Sequence, residues 1–167
     1  MDLYLLRHAT AADRVTPGYE IDSTRPLTPE GARKMGRAAQ GMRALDISFD
    51  LILSSPYLRA KQTAEIVARV LKSEDRLELA SNLAPGGNRM ELIEGLSQRP
   101  DSPSSILLVG HEPDMSELIS MLTAGNFDLP VVMKKGALCK LSADSLHYGR
   151  CASLCWLLTA RQLTLMA

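Results

Sequence analysis

Three short apolar runs, Leu3 to Leu6, Leu51 to Leu53 and Ile106 to Val109, constrain the fold of this chain more than any other feature. Each run is continuous rather than alternating and is bounded by polar or turn residues, the pattern of a strand covered on both faces. Each is followed by a stretch that reads as a helix. Between Thr28 and Leu45, Thr28 is placed to cap and Pro29 suits the first helical position. Ala32, Met35, Ala39, Met42 and Leu45 then recur at helical spacing, although Gly31, Gly36 and Gly41 weaken that helix. From Pro56 to Leu71, Ser55 is the expected cap, Pro56 fits the first turn, and Ala60, Ala64, Val67 and Leu71 share a face. After Pro113, Met115, Leu118, Ile119 and Leu122 fall at i, i+3, i+4 and i+7. Ala137 to Leu141 and Leu154 to Leu158 read as two further strands, of a direction that the pattern leaves open. The alternation predicts an α/β three-layer sandwich, with a largely parallel central sheet and helices on both faces.

With 167 residues, the chain is the size of one domain and can bury roughly 70% of its unfolded surface without help from metals or disulfides. A single domain over residues 1–167 is expected. Nineteen Lys and Arg balance nineteen Asp and Glu, so no overall field draws in nucleic acid or anionic lipid. Cys139, Cys151 and Cys155 form no CxxC pair and are odd in number, which argues against a disulfide framework and a common zinc site. They are read as buried, small apolar groups in a reducing compartment. The amino terminus lacks the pattern of a signal peptide, and no apolar stretch approaches the ~20 residues that span a bilayer. The expectation is a cytoplasmic protein with no metal, no cofactor, and neither nucleic acid nor membrane as partner.

In open α/β sheets, ligands sit beyond the carboxyl ends of the strands. The first run exits into Arg7-His8, the second through Ser54-Ser55-Pro56 toward Arg59, and the third into Gly110-His111-Glu112-Pro113. If the three strands are neighbours, Arg7, His8, Arg59 and His111 converge on one anion pocket, with phosphoryl the obvious ligand because guanidinium forks match its oxygens. Phosphate or sulfate should therefore bind there. A neutral imidazole adds little charge at pH 7, so at least one histidine should act chemically.

The same residues carry a resemblance. Leu5-Leu6-Arg7-His8-Ala9, Arg25-Pro26-Leu27-Thr28-Pro29-Glu30-Gly31, the segment Ser54 to Ala64, Val109-Gly110-His111-Glu112-Pro113-Asp114 and Lys135-Gly136-Ala137 occur in order. The set resembles the histidine phosphatase superfamily, phosphoglycerate mutase-like in fold, and is most similar to its compact SixA-type phosphohistidine phosphatases. The resemblance implies that His8 is the nucleophile and forms a covalent phosphohistidine that water hydrolyses. It implies that Arg7 and Arg59 hold the phosphoryl oxygens, that His111 donates to one of them, and that Arg25 adds a further substrate contact. Nearby guanidinium groups should depress the pKa of His8.

One departure from larger members bears on the substrate. Where they supply a carboxylic acid for an alkoxide leaving group, this chain reads Asn82-Leu83-Ala84-Pro85-Gly86-Gly87-Asn88. Glu78 and Glu91 flank that stretch and would serve only if the loop folds inward. Without a general acid, a poor leaving group costs ~10²–10⁴ in rate, whereas imidazole leaves far more readily. The expected function is thus a metal-independent protein phosphohistidine phosphatase, acting on a phosphotransfer protein in signal transduction. A small-molecule phosphomonoesterase and a noncatalytic phosphoprotein-binding module are the alternatives. His147 reads as a surface residue, and Lys134 and Lys135 as cations at the pocket rim.

Overall fold

The computed structural model describes residues 1–15 and 17–167. Six strands form one sheet in the order β3-β2-β4-β1-β5-β6, with β1 at Asp2–Arg7, β2 at Leu51–Ser54, β3 at Leu77–Leu79, β4 at Ser105–Gly110, β5 at Leu138–Ala143 and β6 at Ala152–Leu158. β1, β2, β3 and β4 pair in parallel, while β5 and β6 run antiparallel along one side. The helices are α1 at Pro29–Ala44, α2 at Leu58–Leu71, α3 at Arg89–Ser97, α4 at Asp114–Ala124 and α5 at Ala160–Thr164.

The continuous apolar runs are explained by two cores, one on each face of the sheet. Leu3 and Leu5 of β1, Leu51 and Leu53 of β2, and Ile106 and Leu108 of β4 pack with Leu92 of α3 and Leu118 of α4. The intervening Tyr4, Leu6, Ile52, Leu107 and Val109 pack against Met35 of α1, Ala64 of α2 and Leu163 of α5. Successive side chains on a strand point to opposite faces, so burial of both kinds makes the expected three-layer sandwich.

The predicted α1 is present, with the Thr28 hydroxyl accepting from the Gly31 N–H at 2.9 Å. Two of its three glycines, Gly31 and Gly41, serve close packing. A Cβ on Gly31 would collide with the Thr10 carbonyl and one on Gly41 with the Leu163 carbonyl, so α1 approaches the backbone of both neighbours as only glycine allows. The start of α2 differs from expectation. It begins at Leu58 with Tyr57 in the capping position and no cap from the Tyr57 side chain; the Ser55 hydroxyl accepts from the Tyr57 N–H at 3.2 Å, just ahead of the helix. The cysteine reading also needs correction. All three are free and Cys139 is buried, but Cys151 is half-buried and Cys155 exposed, because β6 turns part of its surface to solvent.

Candidate active site

The strand order puts β4 between β1 and β2, so the three exits singled out in the sequence are adjacent at the carboxyl edge. Backbone bonds lace them together. The His8 N–H donates to the Gly110 carbonyl, the Ser55 N–H to the Val109 carbonyl, and the Gly136 N–H to the carbonyls of Arg7 and His8, all at 3.0–3.2 Å. A cavity of about 260 Å³ opens there, lined by Arg7, His8, Asp13, Arg14, Asp22, Arg25, Arg59, Pro85, His111, Glu112 and Lys135.

His8 is 8% exposed. Its Nδ1 lies 2.7 Å from the Ala9 carbonyl; a carbonyl only accepts, so Nδ1 carries the proton. Nε2 therefore keeps its lone pair, which accepts from Arg59 Nε at 3.3 Å. Burial pushes the imidazole down to about 4, aided by Arg59, Arg7 and Lys135 and opposed by the bond to Ala9. The direction matches the sequence expectation, with desolvation, which pattern alone does not reveal, a larger cause than the guanidinium charges. The His8 turn is braced by Thr63, which accepts from the Ala9 N–H at 3.1 Å and donates to the Arg59 carbonyl at 2.7 Å.

Arg59, 4% exposed, is held on two sides. Besides His8, it donates from Nη1 to the Asp22 carbonyl at 2.7 Å and from Nη2 to Asp22 Oδ2 at 3.0 Å. Its guanidinium has five N–H donors, so two remain for a phosphoryl group. Arg7 donates from Nη1 to the Met133 carbonyl at 2.7 Å, and its buried Nε is without a partner. His111 is 2% exposed, and its ring centre is 5.1 Å from that of His8. Burial drives it down to about 3, with His8 and Arg59 adding to the effect.

Arg25 also lines the cavity, but its guanidinium is turned onto Asp22 Oδ1 and the Ala12 carbonyl, with bonds of 2.7–2.9 Å. Asp22 is the residue that the sequence reading missed. Its carboxylate gathers Arg14, Arg25 and Arg59. Burial would raise its pKa, yet hydrogen bonds from Arg14 and Arg59 and the surrounding guanidinium charge hold it at about 2. The only signal was an acid three positions before Arg25, which periodicity does not mark.

Neither Glu78 nor Glu91 turns into the cavity. Glu78 pairs with Arg99 at 3.0 Å, and both glutamates line a separate cavity beside β3 and α3. The loop after β3 instead sends Pro85 to the pocket edge. Two other carboxylates there have occupations of their own. Asp22 is held by arginines, and Glu112 accepts from the Ser116 N–H at 3.1 Å in the first turn of α4. His147 is exposed, as expected. Among the described residues, no group of three or more His, Cys, Asp or Glu could hold a metal ion, and no helix is long and apolar enough to cross a membrane.

Residues 3–84 match the family model of the histidine phosphatase superfamily, branch 1. An uncharacterized protein of Picosynechococcus sp. is 35% identical over 146 residues, covering 87% of both chains. Phosphohistidine phosphatase SixA of Escherichia coli K12 is 27% identical over 146 residues and 86% of both chains. The solved structure of the protein histidine phosphatase SixA complexed with tungstate superposes with a TM-score of 0.84 at 26% identity, over 98% of this chain and 99% of that one. Similarity of that reach, in sequence and in backbone, means that the chain belongs to the histidine phosphatase superfamily.

Proposed function

We propose that this protein hydrolyses phosphohistidine on a phosphotransfer protein through a phosphoryl group carried on His8, without a metal ion. The observation that carries the reading is the state of His8: a buried, neutral ring whose Nδ1 proton is committed to Ala9 and whose Nε2 lone pair lies against the Arg59 guanidinium. As the phosphoryl group enters, the Arg59 Nε–H passes from Nε2 to a non-bridging oxygen, and the freed lone pair attacks phosphorus while Arg7 and Arg59 neutralise those oxygens and His111 donates to one of them. The reacting form of the substrate already carries a proton on its other ring nitrogen, so that when the P–N bond breaks its imidazole departs neutral. Water then attacks the phosphorus on His8, phosphate leaves with the water's oxygen, and Nε2 regains its lone pair. The tungstate held by the structurally similar SixA supports a tetrahedral oxyanion as the ligand.

The choice of a P–N over a P–O bond follows from the carboxylates. With a pKa of about 2, Asp22 is ionised at neutral pH and has no proton to give an alkoxide, while Glu78 and Glu91 face another cavity. Asp13 and Glu112 at the mouth are what an alkyl phosphomonoesterase would have to use. The two readings separate on a panel of phosphohistidine-bearing phosphotransfer domains, a small phosphoramidate and alkyl phosphate esters. The proposal predicts kcat/KM at least about 10²-fold higher for the P–N substrates, unchanged by Asp13→Asn and undiminished by EDTA. Comparable rates on sugar phosphates, or loss on chelation restored by a divalent ion, would overturn it.

A further inference from the structure

Among the described residues, two buried side-chain nitrogens lack a hydrogen-bond partner, and one of them is His111 Nδ1. The other nitrogen of that ring, Nε2, lies 2.8 Å from the Ser55 hydroxyl. This bond is made in addition to the cap-like bond expected of Ser55. Ser55 is fully buried, and its oxygen also accepts from the Tyr57 N–H at 3.2 Å. Tyr57 in turn packs edge-on against the His111 ring, with centres 5.4 Å apart. The ring is thus fixed in place on one edge and one face.

A count of protons favours one nitrogen as the donor. A serine hydroxyl has one proton to give and two lone pairs to receive with. If His111 Nε2 carried the ring proton and donated it, the Ser55 oxygen would accept twice. Its own proton would then be stranded in a fully buried place, and Nδ1, on a ring that lines the cavity, would be a buried bare lone pair, which repels oxygen. If Ser55 donates to Nε2 instead, every contact of the hydroxyl is satisfied, and Nδ1–H becomes the one donor on the ring without a partner. Buried donors without partners are rare enough to need an explanation.

We propose that Ser55 is a positioning residue which holds neutral His111 in the Nδ1–H tautomer, so that Nδ1 is the atom that donates to a phosphoryl oxygen. The part played by that donor rests on the proposed function, whereas the tautomer does not and can be read without substrate. A neutral donor of this kind stabilises charge on the oxygen without trapping product phosphate as an imidazolium would. The interaction also ties the exit of β2 to that of β4, linking two walls of the site through one hydroxyl.

The experiment is ¹⁵N–¹H long-range correlation of the histidine rings in the whole protein at pH 7, with His111 assigned by the signals lost in His111→Asn. The expected result is a protonated, pyrrole-like Nδ1 and a pyridine-like Nε2 in the wild type. In Ser55→Ala, the two shifts should move toward each other or exchange. In that variant kcat on a small phosphoramidate should fall about 10- to 100-fold with KM changed less than threefold, and Ser55→Thr, which keeps the hydroxyl, should restore most of it. A pyridine-like Nδ1 in the wild type overturns the proposal whatever the variants do, including a Ser55→Ala that fails to fold. Wild-type ring shifts and kcat in a folded Ser55→Ala overturn it too. Loss of activity in His8→Ala without any phosphoenzyme in the wild type would count against the proposed function while leaving the tautomer measurement intact.

Discussion

At the scale of single residues, His8 and Arg59 define each other. Arg59 Nε donates to the nitrogen that is to attack, while its other two nitrogens are anchored on Asp22. A lysine would retain the charge but none of the three fixed directions. Arg59→Lys is therefore expected to lower kcat/KM by about 10²-fold or more, measured on a small phosphoramidate; near-wild-type kinetics would remove Arg59 from the site. Burial of neutral imidazoles also sets the pH response. His8, at about 4, and His111, at about 3, lie below the ordinary value of 6.5, so both gain protons more readily when unfolded. Their contribution to stability is present in full above pH 6.5 and is lost as pH falls from there, toward 4 for His8 and toward 3 for His111. For His8 alone the loss is on the order of 3 kcal/mol once pH is below the folded value. In activity, the acidic limb of kcat/KM, which reports the free enzyme, should lie well below pH 6.5. A limb centred at 6.5 or above would mean that His8 is not the buried neutral base seen here.

At the scale of elements, the parts that sequence pattern shows best are those with many residues in one period. β1, β2 and β4 are legible because both faces of each are buried, and α1, α2 and α4 because three or four apolar positions repeat. β3 has three residues and α5 five, and α3 has one glycine among nine residues and only Leu92, Ile93 and Leu96 buried. Such segments take their form from what they touch, which no local period encodes. Ser55 illustrates the same limit in the site: a serine before a proline and a helix reads as a cap, and its oxygen does accept from the Tyr57 N–H, but its second partner, a histidine 56 positions away, is not in any local pattern. Gly31 and Gly41 of α1 carry the opposite lesson, since they read as weaknesses in the sequence and are points of contact. Gly41→Ala would press a methyl group into the Leu163 carbonyl and is expected to destabilise the protein by about 1–3 kcal/mol, read from the denaturant midpoint. Gly36→Ala, where a Cβ meets nothing, should be neutral or stabilising by a few tenths to 1 kcal/mol. Equal effects at the two positions would contradict the close packing of α1 on α5.

At the scale of the whole molecule, a chain with no net charge concentrates arginines at one edge of its sheet, and the arrangement of strands makes this possible. Placing β4 between β1 and β2 brings His8, Arg59 and His111 together from distant parts of the sequence. The four residues expected to meet do meet, because each sits at the exit of a run whose burial was readable. The Asp22 hub was not readable, because its role depends on a short 3₁₀ turn at Asp22–Thr24 folding back over the mouth. The central claim is that Nε2 of His8 takes up the phosphoryl group, and rapid quench of the enzyme mixed with a ³²P-labelled phosphoramidate tests it most directly. The account predicts acid-labile, base-stable label on the wild-type protein within the first turnover, and none on His8→Ala. Turnover by the wild type with no label at any quench time, or equal labelling of both proteins, would contradict it.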